Sequence, residues 1–507
     1  LKENDFFIKW NTHIDDKYED ETTGRRVMAI RFSGRMSCTI DMHLGRLLEE
    51  LIDIAKKPKT DFAISMNMTP SGLSKILTGS RLPVTKEKKL FIKLAADYFS
   101  EHTYSHACYL KFKDLFPVIY DFKSLEDLRS FLTYAIEYAL DKDLATANQV
   151  NLEYVERGFY FLGRKPVLNL LCVMLSDHLV NDSDEPLEVY STIPTYDPAY
   201  SEVLLKSLIV NPEKCAHVVF NHFFNGALHE SSSSGKGVSL NFISVTQRGF
   251  NLNLWSTASD LGQPFLLLKG KLLLMFDSQI DGTPLLIPIA HKSYLSLFYN
   301  SLMNKDIRKI SYSRSEAIAF CEENRHIVSA LFNQGVDAVF NFTSIGYLLK
   351  EEEISSLPGS EKIGKWAWLL FQHIMNEGTE FYVSLAAMER FAATGKAVVP
   401  FIGAYSFPAG HRAPYMQRFN QYLMDEDSFS RIKLLDSHLT NMAILYAGNF
   451  CLIYAIDDEY ALERIHIFDR DKVSPILEKM IKGNKLVDLK FSSELWNTYQ
   501  EGLLSNV

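Results

Sequence analysis

The sequence predicts a multidomain chain: an all-α module first, a helical segment after it, and a large α+β region to the end. Three observations predict this. Apolar residues recur at helical spacing from residue 43 to residue 99, interrupted by one tight turn. Helical periodicity then continues to about residue 180. Beyond residue 186, short apolar strands alternate with amphipathic helices, and two hairpins stand out. The expected parts are 1–41, a disordered arm or an upstream gene-model extension; 42–100, the helical module; 101–185, a helical linker or dimerisation segment; and 186–345 and 346–507, two α+β effector units.

Size and composition set the frame. A chain of 507 residues exceeds what one hydrophobic core usually organises. Its 47% apolar and 23% charged residues are globular values. Six scattered cysteines without a Cys-x-x-Cys argue against a disulfide framework or a zinc ribbon and suit a cytoplasmic setting. The most apolar windows, near Leu168–Val180 and Met442–Ile456, fall short of the roughly 18–20 residues a membrane span needs. The charged, apolar-poor start gives no expectation of a secretory leader.

Within the helical module, His43–Lys57 carries Leu44, Leu47, Leu48, Leu51, Ile52, Ile54 and Ala55 at helical spacing, and Lys86–Phe99 repeats the pattern. Between them, Asp61–Pro83 reads as two short helices joined by a turn. Ala63, Met66, Met68, Leu73 and Ile76 supply its apolar positions. Thr69 is the expected N-cap of the second helix, with Pro70 at the first helical position, where a missing N–H costs nothing. Gly79 ends that helix and Pro83 prevents its continuation. Ser71, Gly72, Ser74 and Lys75 then occupy a short polar face suited to close approach to base edges.

This segment resembles the helix-turn-helix domain of the phage-repressor/Cro family through Ala63, Thr69, Leu73, Ser74, Lys75, Ile76 and Gly79. The resemblance covers residues 42–99. It implies a double-stranded DNA partner, read by Ser71 and Lys75 at base edges, with Thr69 and Arg81 on phosphates. Pro70 stands where the family often carries a base-reading polar side chain, so that contact is lost or apolar. Overall the chain is similar to large bacterial helix-turn-helix regulators. Charge agrees locally: residues 42–99 carry a formal +4 on a chain of −9. One such module covers few base pairs, so a homodimer on two half-sites is expected. The apolar stripe Leu128, Phe131, Leu132, Ala135 and Tyr138 motivates it.

Farther on, Ser124-Leu-Glu-Asp127 starts a helix over Leu125–Leu140, and Pro166–Val180 is another. Leu187–Pro194 reads as a strand, Tyr200–Ile209 and Cys215–Phe224 as helices, Ser231–Gly237 as a flexible loop and Val238–Val245 as a strand. Phe265–Asp277 is a hairpin turning at Lys269-Gly270, followed by a strand, Leu285–Ala290, and a helix, Tyr294–Met303. Ala443–Asp457 is a second hairpin, turning at Gly448-Asn449, again followed by a strand, Arg464–Phe468, and a helix, Val473–Ile481. This recurrence suggests a repeated α+β unit, or one mixed fold used twice. Between the hairpin units, Ser311–Gln334 and Lys362–Met375 read as helices, Glu380–Leu385 as a strand, Ala386–Thr394 as a helix and Pro408–Pro414 as a loop.

Other motifs carry little chemistry. Ser234-Gly-Lys-Gly237 lacks the early Gly and the following Ser/Thr of a Walker loop. Cys215, His217, His222 and His229 match no common zinc spacing. No catalytic, metal or cofactor site is therefore expected. The reading is a cytoplasmic transcriptional regulator whose C-terminal region answers a small-molecule or protein effector or mediates assembly, without a membrane. Val398–Arg412, with Phe401, Tyr405, Phe407, His411 and Arg412, is the candidate effector contact. The alternative is an enzyme or protein-interaction scaffold whose helical hairpin does not bind DNA.

Overall fold

The structure is a computed structural model that describes residues 42–84, 86–147, 160–179, 186–193, 217–224, 228–229, 238–239, 243, 251–257, 261–324, 326, 335–344, 346–357, 360–375, 379–399, 402–423, 432–437, 439–457, 463–482, 487–489, 498–499 and 501–502. Residues 1–41, the Tyr200–Ile209 helix, the Ser231–Gly237 loop and most of the Val238–Val245 strand lie outside the described residues.

The chain combines helices with mixed sheets. Four helices come first: α1 (Leu44–Ala55), α2 (Lys59–Ser65), α3 (Pro70–Leu77) and α4 (Lys88–Thr103). Two more follow, α5 (Leu125–Ala147) and α6 (Arg164–Leu179). Ser124 Oγ accepts from Asp127 N–H and starts α5. The Asp127 carboxylate does not reach back to complete a capping box; it accepts from Lys123 N–H, Tyr120 and Lys165.

The first sheet is built from β1 (Phe161–Leu162), β2 (Leu187–Ser191), β3 (Val218–Phe224), β6 (Asn251–Thr257), β7 (Phe265–Leu268), β8 (Leu272–Ser278), β9 (Pro284–Ile289) and β10 (Ile307–Lys309). The pair β4 (Leu228–His229) and β5 (Val238–Ser239) stands apart from it. Helix α7 (Lys292–Met303) connects β9 to β10. The spatial order is β1-β9-β8-β7-β2-β3-β6-β10, with β2·β3 and β3·β6 parallel and the rest antiparallel.

A second sheet follows at once: β11 (Ser311–Tyr312), β12 (Ala338–Asn341), β13 (Glu380–Ser384), β16 (Ile432–Asp436), β17 (Met442–Ala447), β18 (Phe450–Ile456), β19 (Glu463–Asp469) and β20 (Val487–Leu489). Its helices are α8 (Arg314–Glu323), α9 (Glu351–Ser355), α10 (Ser360–Met375), α11 (Leu385–Thr394), α12 (Ala409–Leu423) and α13 (Arg470–Lys482), and β14 (Lys396–Val399) pairs with β15 (Gly403–Ser406) as a separate hairpin. Its order is β11-β19-β18-β17-β12-β13-β16-β20, again with only β12·β13 and β13·β16 parallel. Adding ten to each strand number of the first sheet gives the second. The hairpin, strand and helix of the sequence recurrence are β7–β9 with α7, and β17–β19 with α13.

The two sheets meet edge to edge at residues 307–312. Ile310 N–H donates to Leu254 on β6, and Ile310 C=O accepts from Ile467 N–H on β19, both at 3.0 Å. Beside it Ser311 Oγ accepts from Leu254 N–H and lies 2.6 Å from His466 Nδ1.

Four sequence readings are corrected. The expected Ser311–Gln334 helix begins later, because Ser311–Tyr312 is strand β11 and helix α8 is Arg314–Glu323. Cys215–Phe224 is not a helix: Val218–Phe224 is strand β3. A central strand between two parallel neighbours is buried on both faces, so its apolar run loses the alternation that marks a strand. Pro408–Pro414 is not a loop, since α12 begins at Ala409 and holds Pro414 inside it. Pro414 leaves Gly410 C=O without its i→i−4 donor, and its ring crowds that same carbonyl. The stripe Leu128, Phe131, Leu132 and Ala135 is fully buried within the chain, and Tyr138 hydrogen-bonds Asp177. It faces α4 and α6 rather than a second copy, so it gives no reason for dimerisation. One apolar cluster runs from Met42 through these helices to the facing sides of both sheets.

Candidate nucleic-acid interface

The local sequence fixes α3 at both ends. Thr69 is extended and its Oγ1 accepts from Gly72 N–H at 3.1 Å, with Pro70 at the first helical position. The turn before it needs a left-handed residue, which Asn67 supplies at φ 53°. Met68 N–H closes the turn on Ala63 C=O at 2.9 Å. At the far end Gly79 takes φ 70°, and the chain folds back so that Arg81 N–H and Ser80 Oγ both donate to Lys75 C=O. Arg81 is thereby tied to the turn of α3 that carries Lys75.

Leu73 and Ile76 are buried, and Phe62 of α2 packs on Tyr98 and Phe99 of α4. Against α1 the contact is backbone to backbone: a Cβ on Gly45 would sit 2.2 Å from Leu77 O. Only a glycine permits that approach. The start of α1 is held in turn by α5 and α6. Leu44 N–H donates to Asp143 Oδ2 at 2.9 Å and Met42 N–H to Asp177 Oδ1 at 3.0 Å, while Lys142 also pairs with Asp177.

Thr69, Pro70, Ser71, Ser74, Lys75 and Arg81 are exposed, and Gly72 is half-buried. The structure places these seven residues along α3 and its flanking turns. No ion pair engages Lys75 or Arg81 among the described residues. Lys59 and Lys88 are different: Glu49 neutralises the first, and Asp141 and Glu137 the second. A cleft of about 370 Å³ runs beside α3 between Thr69, Arg81, Glu87 and Leu90.

No protein-family model and no curated protein matches the chain.

Elsewhere, the proposed effector contact at 398–412 changes character. Phe407 is buried against Phe391 and Tyr415, Tyr405 packs on Phe407, and Arg412 donates to Ala392 and Ala393 carbonyls. These side chains close a core; Phe401 lies outside the described residues. His222 sits inside β3, fully buried, with its pKa lowered to about 3 by burial. Cys215 and the His229 side chain lie outside the described residues, so the four-residue metal spacing cannot be assembled from what the structure describes.

Sequence reasoning missed two supports of α3, Gly45 and Asn67. A glycine inside a helix was the available signal for Gly45, because it costs helix stability unless something approaches closely. It also missed the polar end of the second sheet. There Asn341, Thr343 and Asn441 cluster at the carboxyl end of β12, where the order turns from parallel to antiparallel.

Proposed function

We propose that the chain is a sequence-specific DNA-binding transcriptional regulator, with α3 entering the major groove and the two-sheet region answering an effector. The observation that carries this reading is the exposed face of α3. It presents Ser71, Ser74 and Lys75 beside Arg81, on a helix whose other side is packed on α1 and α2. Small polar side chains let a helix approach base edges, and unpaired cations answer phosphate charge. The Thr69 hydroxyl accepts from Gly72 and keeps its proton for a phosphate oxygen. A protein of this kind works as a homodimer on two half-sites in the cytoplasm.

Selection from a random DNA pool with the full chain tests the reading. A single enriched motif supports it. Lys75→Ala then costs about 1–3 kcal/mol on that motif and relaxes one base position, whereas Arg81→Ala weakens all sequences alike. Enrichment of no motif, or a Lys75→Ala chain with unchanged affinity at fixed salt, removes it.

A further inference from the structure

The cleft of about 370 Å³ lies between α3 and the first turns of α4. Small-molecule sites span about 300–1,000 Å³, so its size suits a molecule as small as an amino acid.

Much of its lining is apolar: Met68, Ile76, Val84, Leu90 and Leu94 all face it. Ile76 is buried, whereas Val84 is 51% and Leu90 58% exposed. Leu90 stands out from α4 although the next two residues, Phe91 and Ile92, are buried. Two large apolar side chains left in water beside one cleft offer area for a ligand to cover.

Two opposite charges border the same cleft. Arg81 and Glu87 both line it, and neither forms an ion pair, with the other or elsewhere, among the described residues. Their backbones are fixed: Arg81 N–H donates to Lys75 C=O at 3.0 Å, and Glu87 N–H to Val84 C=O at 2.8 Å. Buried Pro83 stiffens the connection between them. Glu87 directly precedes α4, yet its side chain caps none of that helix's free N–H groups. Lys88 does not engage it either, because Asp141 holds that ammonium at 2.6 Å and Glu137 lies 3.4 Å from it. A cation and an anion that share one small cleft without pairing are both open to a ligand that carries both charges.

We propose that this cleft binds a free apolar α-amino acid. The carboxylate pairs with Arg81, the ammonium with Glu87, and the side chain covers Met68, Val84 and Leu90. The chemistry selects that class. A phosphate or a simple carboxylate answers Arg81 but meets Glu87 as a like charge. An uncharged apolar compound answers neither charge, and a polar amino acid leaves the apolar lining wet. An occupied cleft engages Arg81 and so removes a phosphate contact, which weakens DNA binding. That consequence rests on the DNA-binding reading, whereas the amino-acid site does not. It acts on the helical module directly, independently of the two-sheet region.

The test is calorimetric titration of the full chain, without DNA, with L-leucine, L-methionine, L-phenylalanine and L-tryptophan. Glycine, and the amide and the deaminated acid of each amino acid that binds, serve as controls. At least one of the four binds at a single site with a Kd below about 1 mM, and its controls bind about tenfold more weakly or worse. Glu87→Gln and Leu90→Asp each weaken it by about tenfold or more. Both positions are exposed, and thermal unfolding of the ligand-free variants verifies that they fold. No binding by any of the four, a control that binds equally well, or undiminished binding in either folded variant overturns the proposal. With the selected DNA motif present, the saturating amino acid lowers DNA affinity several-fold; binding without that effect overturns the regulatory consequence. Failure of the DNA-free titration leaves the α3 assignment standing, and failure of the DNA selection leaves the cleft standing.

Discussion

The two sheets share one strand order but finish their central strands differently. Hydrogen bonds establish the equivalent positions. Thr192 N–H donates to Phe265 C=O after β2, as Phe342 N–H does to Met442 C=O after β12. Phe276 N–H donates to Pro264 C=O, as Ile456 N–H does to Asn441 C=O. Ser191 therefore corresponds to Asn341, Ile193 to Thr343 and Pro264 to Asn441. In the first sheet this end satisfies itself. Ser191 Oγ accepts from Ile193 N–H at 3.0 Å, and Thr192 Oγ1 accepts from Phe265 N–H at 2.9 Å. In the second sheet Asn341 Oδ1 and Thr343 Oγ1 remain unpartnered among the described residues. One topology thus carries an end whose polar side chains are paired and an end where two polar atoms, Asn341 Oδ1 and Thr343 Oγ1, are unpartnered among the described residues.

The largest expected effect tests how the two sheets are joined. His222 on β3 lies opposite Leu254, and His466 on β19 reaches the same residue through Ser311. Burial lowers the pKa of each from 6.5 to about 3, with Arg464 adding to the effect at His466. Both are neutral in the fold at physiological pH. Below pH 6.5 the unfolded chain takes up protons on these two residues that the folded chain refuses until about pH 3. Stability therefore falls as pH drops through that window, by about 2 kcal/mol per histidine between pH 7.5 and pH 5, or about 4 kcal/mol together. Urea unfolding across this range measures the slope. His466→Gln is expected to halve it. An unchanged slope would show that His466 is solvated and that the seam between the sheets is looser than drawn.

A swap between the equivalent positions comes next in size. Asn441 takes φ 61°, and its N–H donates to Phe342 C=O at 3.0 Å. Proline is confined near −65° and has no N–H, so Asn441→Pro breaks both features and costs about 3 kcal/mol or more. Pro264 shows neither feature, being absent from the positive-φ positions. Pro264→Asn should accordingly change stability by no more than about 1 kcal/mol. Equal costs for the two exchanges, read from denaturant midpoints, would mean the two ends are built alike.

Much of this was legible in the sequence, and the limits have physical causes. Thr69, Pro70 and Gly79 announce the ends of α3 because capping is chemistry between residues a few positions apart. Lys269-Gly270 and Gly448-Asn449 mark their hairpins for the same reason. The shared strand order was visible only as the hairpin, strand and helix at its end, where contacts are sequential. The parallel strands β2, β3, β12 and β13 pair across long connections, and an apolar run such as Val218–Phe224 does not reveal its neighbours. Asn341, Thr343 and Asn441 are separated by up to a hundred residues. Each is an ordinary polar residue until the sheet brings them to one end. The stripe on α5 misled for a related reason: periodicity tells that a face is buried, not what buries it.

The smallest effect isolates the comparison in two conservative substitutions. Ser191 is fully buried, and its hydroxyl is the acceptor for Ile193 N–H. Ser191→Ala leaves that buried N–H without a partner and should lower stability by about 1 kcal/mol. Thr343→Val, at the position equivalent to Ile193, removes a hydroxyl that accepts nothing among the described residues. It should be neutral or stabilising, by up to about 1 kcal/mol, because an unsatisfied buried group is replaced by an apolar one of the same shape. The sign difference is the informative quantity, since the two changes remove one hydroxyl each from matching ends of matching strands. If Thr343→Val lowers the denaturant midpoint as much as Ser191→Ala does, the Thr343 hydroxyl is satisfied inside the fold. The second sheet would then be as closed as the first.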